Sequence, residues 1–163
     1  MTPWGLILFK RNCESPQQIT DLVNAFRKAV GRNDAPVFID QEGGRVQRIG
    51  PPHWRKYPAA AAFGKLYTIN PGLALRAARS IGRLMAEELF DRGLTASCLP
   101  VLDAPQAGAH DVIGNRAYDT RPERIMTLAH AHVAGLMEGG ILPVMKHVPG
   151  HGRAMVDSHP YNA

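Results

Sequence analysis

Four short apolar runs, each parted from the next by a longer segment with helical markings, constrain this chain more than any other feature. The runs are Trp4–Phe9, Pro36–Asp40, Ala96–Val101 and Ile141–Lys146. They are mostly apolar rather than alternating, which suits strands buried on both faces. Ser15-Pro16-Gln17-Gln18 opens the first helical segment with a cap, a proline at the first helical position and a capping-box glutamine. Ile19, Leu22, Val23, Phe26 and Val30 then recur at helical spacing until Gly31. Asn70-Pro71 starts a second helix running to about Arg92 and closed by Gly93. Thr120-Arg121-Pro122-Glu123 caps a third, which Gly139-Gly140 ends. The order β-α-β-α-β-α-β predicts a parallel α/β architecture of right-handed crossover units.

Two long irregular stretches interrupt this pattern. Gln41 to about Asn70 is rich in glycine, proline and alanine, with a short helix expected near Ala59–Phe63; Leu102–Asp119 is the second. Loops of such length in compact domains tend to be functional. Both follow strands, so Asp40, the residues after Leu102 and Lys146-His147 all fall at C-terminal strand ends. A (β/α)8 barrel carries its active site on that face, and a doubly wound sheet binds ligands there too. Position alone leaves both folds open.

The 163 residues, 45% hydrophobic and 20% charged, are one ordinary domain's worth of globular chain. Neither an apolar run of membrane-spanning length nor a secretory signal is visible. The net charge of +5 comes from scattered basic residues without aromatic interleaving, which argues against a nucleic-acid partner. A mildly basic cleft is compatible with a carboxylate-bearing substrate. Cys13 and Cys98 are too few for a disulfide framework, so reduced thiols in the cytoplasm are the expectation.

The densest chemistry lies in Lys146-His147-Val148-Pro149-Gly150-His151-Gly152, followed by Asp157-Ser158-His159. A cation beside several proton-transfer groups suits a site that holds a polar substrate and moves protons. Asp157 can orient the imidazole of His159 and stabilise its protonated form. Their i, i+2 spacing lets both side chains lie on one side of an extended segment. His147 and His151 have the spacing of helical zinc ligands, but Pro149 and Gly150 between them break that helix. Loop ligation of a metal stays open on this reading, as does a solvated loop without chemistry.

The run KHVPGHG…DSH resembles the signature of family 3 glycoside hydrolases, in their β-N-acetylglucosaminidase branch. Ile39-Asp40-Gln41-Glu42-Gly43-Gly44-Arg45-Val46-Gln47-Arg48 is similar to that branch's DQEGGRVQR motif, and Val112-Ile113-Gly114-Asn115-Arg116 to its VIGxR segment. All three occur in the family's order, and the resemblance runs from about Trp4 to His159. It implies a TIM-type (β/α)8 barrel, of which residues 1–163 would be a partial N-terminal catalytic domain holding about strands two to five of eight. An open half-barrel would leave two unpaired edges and uncovered apolar surface.

The resemblance further implies retaining hydrolysis of terminal, non-reducing β-linked N-acetylglucosamine, with muropeptides of cell-wall recycling as the substrate class. No cofactor or metal is expected, and the full-length protein is expected to be a cytoplasmic monomer. By the same resemblance His159, paired with Asp157, is the acid/base, and imidazole suits that task because it both donates and accepts near neutral pH. Lys146 and His147 would bind the sugar of the first subsite, Asp40 would accept from its hydroxyls, and Arg48 and Arg116 would donate to it. The family's nucleophile is an aspartate on a later strand, expected beyond Ala163. Asp103 matches a family PVLD segment and not the nucleophile, so the 163 residues alone are expected to be inactive. Gly43-Gly44, Gly150 and Gly152 point to tight turns or positive φ, and His151 to a structural hydrogen bond. Three other readings stay open: a β-glucosidase of the same superfamily, a metal-dependent hydrolase, and a non-catalytic sugar-binding remnant.

Overall fold

The structure is a computed structural model and describes residues 2–156. Asp157 and His159 lie outside the described residues. Strands β1 (Leu6–Leu8) and β2 (Val37–Ile39) are joined through helix α1 (Pro16–Val30). A hairpin, β3 (Gln41–Gly43) and β4 (Val46–Gln47), follows immediately, then helices α2 (Ala60–Ile69) and α3 (Pro71–Phe90). Strand β5 (Ala96–Ser97), helix α4 (Pro122–Glu138) and strand β6 (Leu142–Pro143) complete the order.

The main sheet is parallel throughout and runs β1-β2-β5-β6, in chain order. Leu6 pairs with Val37, Phe38 with Ala96 and Ser97 with Pro143. Neighbouring strands in sequence are neighbours in space, each crossover carrying helix. That is one arc of a (β/α) barrel, whereas a doubly wound sheet would reverse its strand order part-way. Leu142, Met145 and Val148, at the β6 edge and just beyond it, are exposed among the described residues.

Capping fixes the helices much as the residue types dictate, with local shifts. Ser15 Oγ accepts from Gln18 N at 3.2 Å, but the Gln18 side chain reaches past the cap to Glu14 N at 3.1 Å. Gly31 ends α1 with φ +68°. Asn70 Oδ1 accepts from Leu73 N at 3.0 Å and so opens α3. For α4 the expected side-chain cap does not form: the N-cap position is Arg121 without a cap bond, and Asp119 Oδ1 accepts from the backbone N–H groups of Thr120 and Arg121 just ahead of the helix.

One apolar cluster lies between the sheet and α1 and α3, built on Leu8, Ile19, Val23, Ile39, Met85 and Leu89. A second, around Phe63, Ala78, Tyr118, Ile125 and Leu128, joins α2, α3 and α4. The α3–α4 contact is backbone-close. A Cβ on Gly82 would meet His132 O at 2.3 Å, and one on Gly135 would meet Arg79 O at 2.0 Å.

Two expectations need adjusting. The short helix near Ala59–Phe63 extends to Ile69, and the stretch after Asp40 contains the β3–β4 hairpin rather than loop alone. Strands β5 and β6 are also shorter than their apolar runs. The ladder ends at Ser97 and Pro143, and pairing resumes only at a parallel bridge between Val101 and Lys146.

Candidate active site

Asp40 stands just past β2, and the hairpin behind it turns back over the strand end. Gly43 and Gly44 make that turn with φ +86° and +59°. Side chains there would strike Pro58 O and Ala59 Cβ, so both positions need glycine. Gln41 is buried and staples the return: its Oε1 accepts from Arg48 N and Ile49 N, and its Nε2 donates to Ile49 O. Arg48 is thereby aimed at Asp40, its Nη2 donating to Oδ2 at 2.9 Å.

The second long loop supplies Arg116 from a single 3₁₀ turn, Gly114–Arg116. Its guanidinium forms a fork on Glu42, with Nε and Nη2 each 2.9 Å from a carboxylate oxygen. Lys146, carried in by the strand-end bridge to Val101, places Nζ 2.9 Å from Asp40 Oδ1 and 2.5 Å from Glu42 Oε1. Charges of alternating sign therefore run Arg48–Asp40–Lys146–Glu42–Arg116 across three strand ends. His147 follows directly, its Nδ1 2.5 Å from Asp103 Oδ2.

Asp40, Arg48, Cys98, Arg116, Lys146 and His147 all line one cavity of about 340 Å³. The five binding residues expected from sequence thus share one wall. Asp157 and His159 fall outside the described residues. A second cavity of about 470 Å³ lies against His147, under Pro149, Gly150 and Gly152.

Burial pulls the Asp40 carboxyl up, but Lys146 and Arg48 outweigh it and hold the group below its ordinary range. Asp40 is therefore an anion with lone pairs turned to the cavity. For Arg116, burial works against the charge, and Glu42 more than offsets it. Cys98 is pushed up by burial and by Asp40, which keeps its thiol protonated. An anionic acceptor, an ammonium donor and an imidazole at one opening suit a ligand rich in hydroxyl groups. Among the described residues, no group of three or more His, Cys, Asp or Glu side chains is arranged to hold a metal ion.

Glu42, Asp103 and Cys98 belong to this site, although the sequence reading gave none of them a role in it. Glu42 and Asp103 both lie within motif text, but nothing in the sequence shows which cation or imidazole they reach. A buried pair behind the Arg116 loop was also missed: Tyr118 Oη lies 3.0 Å from His132 Nδ1.

Residues 4–162 match the model of the glycosyl hydrolase family 3 N-terminal domain. The chain belongs to glycosyl hydrolase family 3. A beta-hexosaminidase of Alkalilimnicola ehrlichii is 42% identical over 155 residues, covering 95% of this chain and 44% of that protein. The native structure of NagZ from Neisseria gonorrhoeae superposes with a TM-score of 0.86 at 39% identity, covering 96% of this chain and 45% of that one. The same NagZ has also been crystallised in complex with N-trifluoroacetyl-D-glucosamine, with equal TM-score and identity. The family 3 chain described here thus spans a little under half the length of the relatives it matches, and its four-stranded arc is a partial barrel of TIM type.

Proposed function

We propose that the complete protein is a retaining β-N-acetylhexosaminidase that removes terminal, non-reducing β-linked N-acetylglucosamine. The observation that carries this reading is the cavity at which Asp40, Lys146 and His147 converge, in a chain whose relatives are named beta-hexosaminidases. The sugar of the first subsite lies in that cavity. Asp40 accepts from its hydroxyls, Lys146 and His147 contact the ring substituents, and Arg48 and Arg116 hold the acidic groups in place while offering further donors.

The reaction proceeds by double displacement. An aspartate supplied by chain outside these 163 residues attacks the anomeric carbon while His159 protonates the departing glycosidic oxygen. Water then displaces the aspartate, giving up its proton to His159, and the sugar leaves with its original anomeric configuration. Asp157 holds the His159 imidazole and balances its positive charge. Turnover on this reading needs the whole protein. The physiological substrates are N-acetylglucosamine-bearing muropeptides of cell-wall recycling in the cytoplasm, and the complete protein is a monomer.

The direct test is to offer the complete protein an aryl β-N-acetylglucosaminide and the matching aryl β-glucoside. A kcat/KM at least about a hundredfold higher for the acetamido sugar supports the assignment, being close to 3 kcal/mol of discrimination. Preference for the glucoside overturns it.

A further inference from the structure

The side chain of Asp103 is completely buried. Both of its oxygens are engaged. Oδ2 lies 2.5 Å from His147 Nδ1, and Oδ1 accepts from the backbone N–H of His151. An ionised carboxylate can only accept, so the imidazole carries its proton on Nδ1 and leaves Nε2 as a lone pair when neutral. His147 lines the cavity that holds Asp40 and Lys146.

The second oxygen does different work. Around it the segment from Ala104 to His110 lies against the stem of the loop that follows Lys146-His147. Gln106 N donates to Gly152 O at 2.9 Å, and His110 N donates to Ala154 O at 2.8 Å. A Cβ on Gly152 would sit 2.3 Å from Ala104 O, so the two backbones meet without room for a side chain. Asp157 and His159 follow Ala154 by three and five positions.

We propose that Asp103 is a positioning residue with two tasks: it fixes the tautomer of His147 and it anchors residues 150–154, which precede Asp157 and His159 in sequence. The part of this inference that concerns catalysis rests on the hexosaminidase reading above; the anchoring does not. One buried carboxylate therefore joins the imidazole that lines the cavity to the backbone of the segment that follows it.

Asp103→Asn in the complete protein separates the tasks. The amide oxygen still accepts from His151 N–H, while its NH2 group can only donate to His147 Nδ1 and forces the ring proton onto Nε2. Nitrogen-15 spectra of histidine-labelled protein are expected to show Nδ1–H in the parent and Nε2–H in the variant. Hydrolysis of the aryl β-N-acetylglucosaminide is expected to lose about tenfold to a hundredfold in kcat/KM, the scale typical of a lost orienting partner. Amide exchange over residues 150–154 should stay as in the parent for Asp103→Asn and accelerate for Asp103→Ala. The same His147 tautomer in parent and Asn variant overturns the first task, and a switched tautomer with unchanged kinetics overturns its bearing on catalysis. Unchanged exchange in a folded Ala variant overturns the second. If the parent hydrolyses no acetamido glycoside, the functional reading fails, and the spectra and exchange still decide both tasks.

Discussion

Glu42 and Arg116, 74 positions apart in sequence, meet in a two-pronged ion pair with both contacts at 2.9 Å. The pair joins the hairpin after β2 to the 3₁₀ turn in the loop after β5, and Lys146 reaches the same carboxylate from the end of β6. Three loops are thereby tied at one point, at the C-terminal ends of the strands. Both partners are nearly buried, their side chains 4% and 12% exposed. Solvent therefore does little to replace either one.

Glu42→Gln keeps the shape of the side chain and removes its charge, leaving Arg116 and Lys146 buried without their shared anion. Breaking a buried pair from one side costs about 3 kcal/mol or more. Urea unfolding of the complete protein should show a loss of this size in the midpoint-derived stability. A loss below about 1 kcal/mol would mean that the pair is a peripheral contact and not the tie between the loops.

His132 is completely enclosed by α3, α4 and Phe63, and among the described residues its Nε2 meets no hydrogen-bond partner. Burial pulls its pKa down from 6.5 to about 4. The folded protein thus holds the ring neutral while the unfolded chain takes up a proton below about pH 6.5. The stabilisation is complete above that pH and drains away as pH falls towards 4, by something on the order of 3 kcal/mol. Unfolding curves between pH 7 and 4.5 should show the parent losing stability more steeply than His132→Gln. Parallel curves would contradict this account of the enclosed imidazole.

The α3–α4 contact depends on absent side chains. A methyl group at Gly135 would enter the space of Arg79 O, which lies 2.0 Å from its Cβ position. Neither helix backbone can yield without shifting the other, so Gly135→Ala should destabilise by roughly 2 kcal/mol or more, although alanine is the better helix former. Thermal unfolding of the complete protein checks this. A raised melting temperature would mean that propensity outweighs the contact.

His159→Ala should act on turnover and hardly on binding. Loss of general acid/base assistance costs about a hundredfold to ten-thousandfold in kcat, and the cost should be larger for a sugar leaving group than for an aryloxide, which departs without help. Steady-state kinetics on both substrate types, with product binding measured alongside, separate the effects. Equal losses on the two leaving groups would remove His159 from the acid role.

Much of the scaffold was legible because strand and helix periods differ sharply here. Apolar runs such as Trp4–Phe9 mark β1, and Ile19, Leu22, Val23 and Phe26 mark one face of α1. Ladder ends were less legible, since the pairing stops at Ser97 and Pro143 while the hydrophobic text runs on. The β3–β4 hairpin carries no apolar alternation at all. It is held by the Gln41 side chain and a two-glycine turn, so its signal was chemical rather than periodic. The continuation of α2 to Ile69 was hidden because Gly64 reads as a stop after Phe63, whereas it sits inside the helix where Tyr118 O leaves no room for a Cβ.

For the site, motif text and strand-end position together pointed to Asp40, Arg48, Arg116, Lys146 and His147, which line one cavity. Glu42 and Asp103 stood in the same motifs without a sequence-local partner, and only the folding of distant loops onto one another gives them one. His132 sits two residues from His130 on α4 and so faces elsewhere. Its significance comes from Tyr118, on the loop that arrives from the other side.

The most direct measurement is a crystal structure of the complete protein soaked with N-acetylglucosamine. The sugar is expected in the cavity of about 340 Å³, its hydroxyls within hydrogen-bonding distance of Asp40 and Lys146 and a ring substituent on His147 Nε2. A sugar bound elsewhere, with that cavity holding only water, would contradict the central claim that these strand ends form the first subsite.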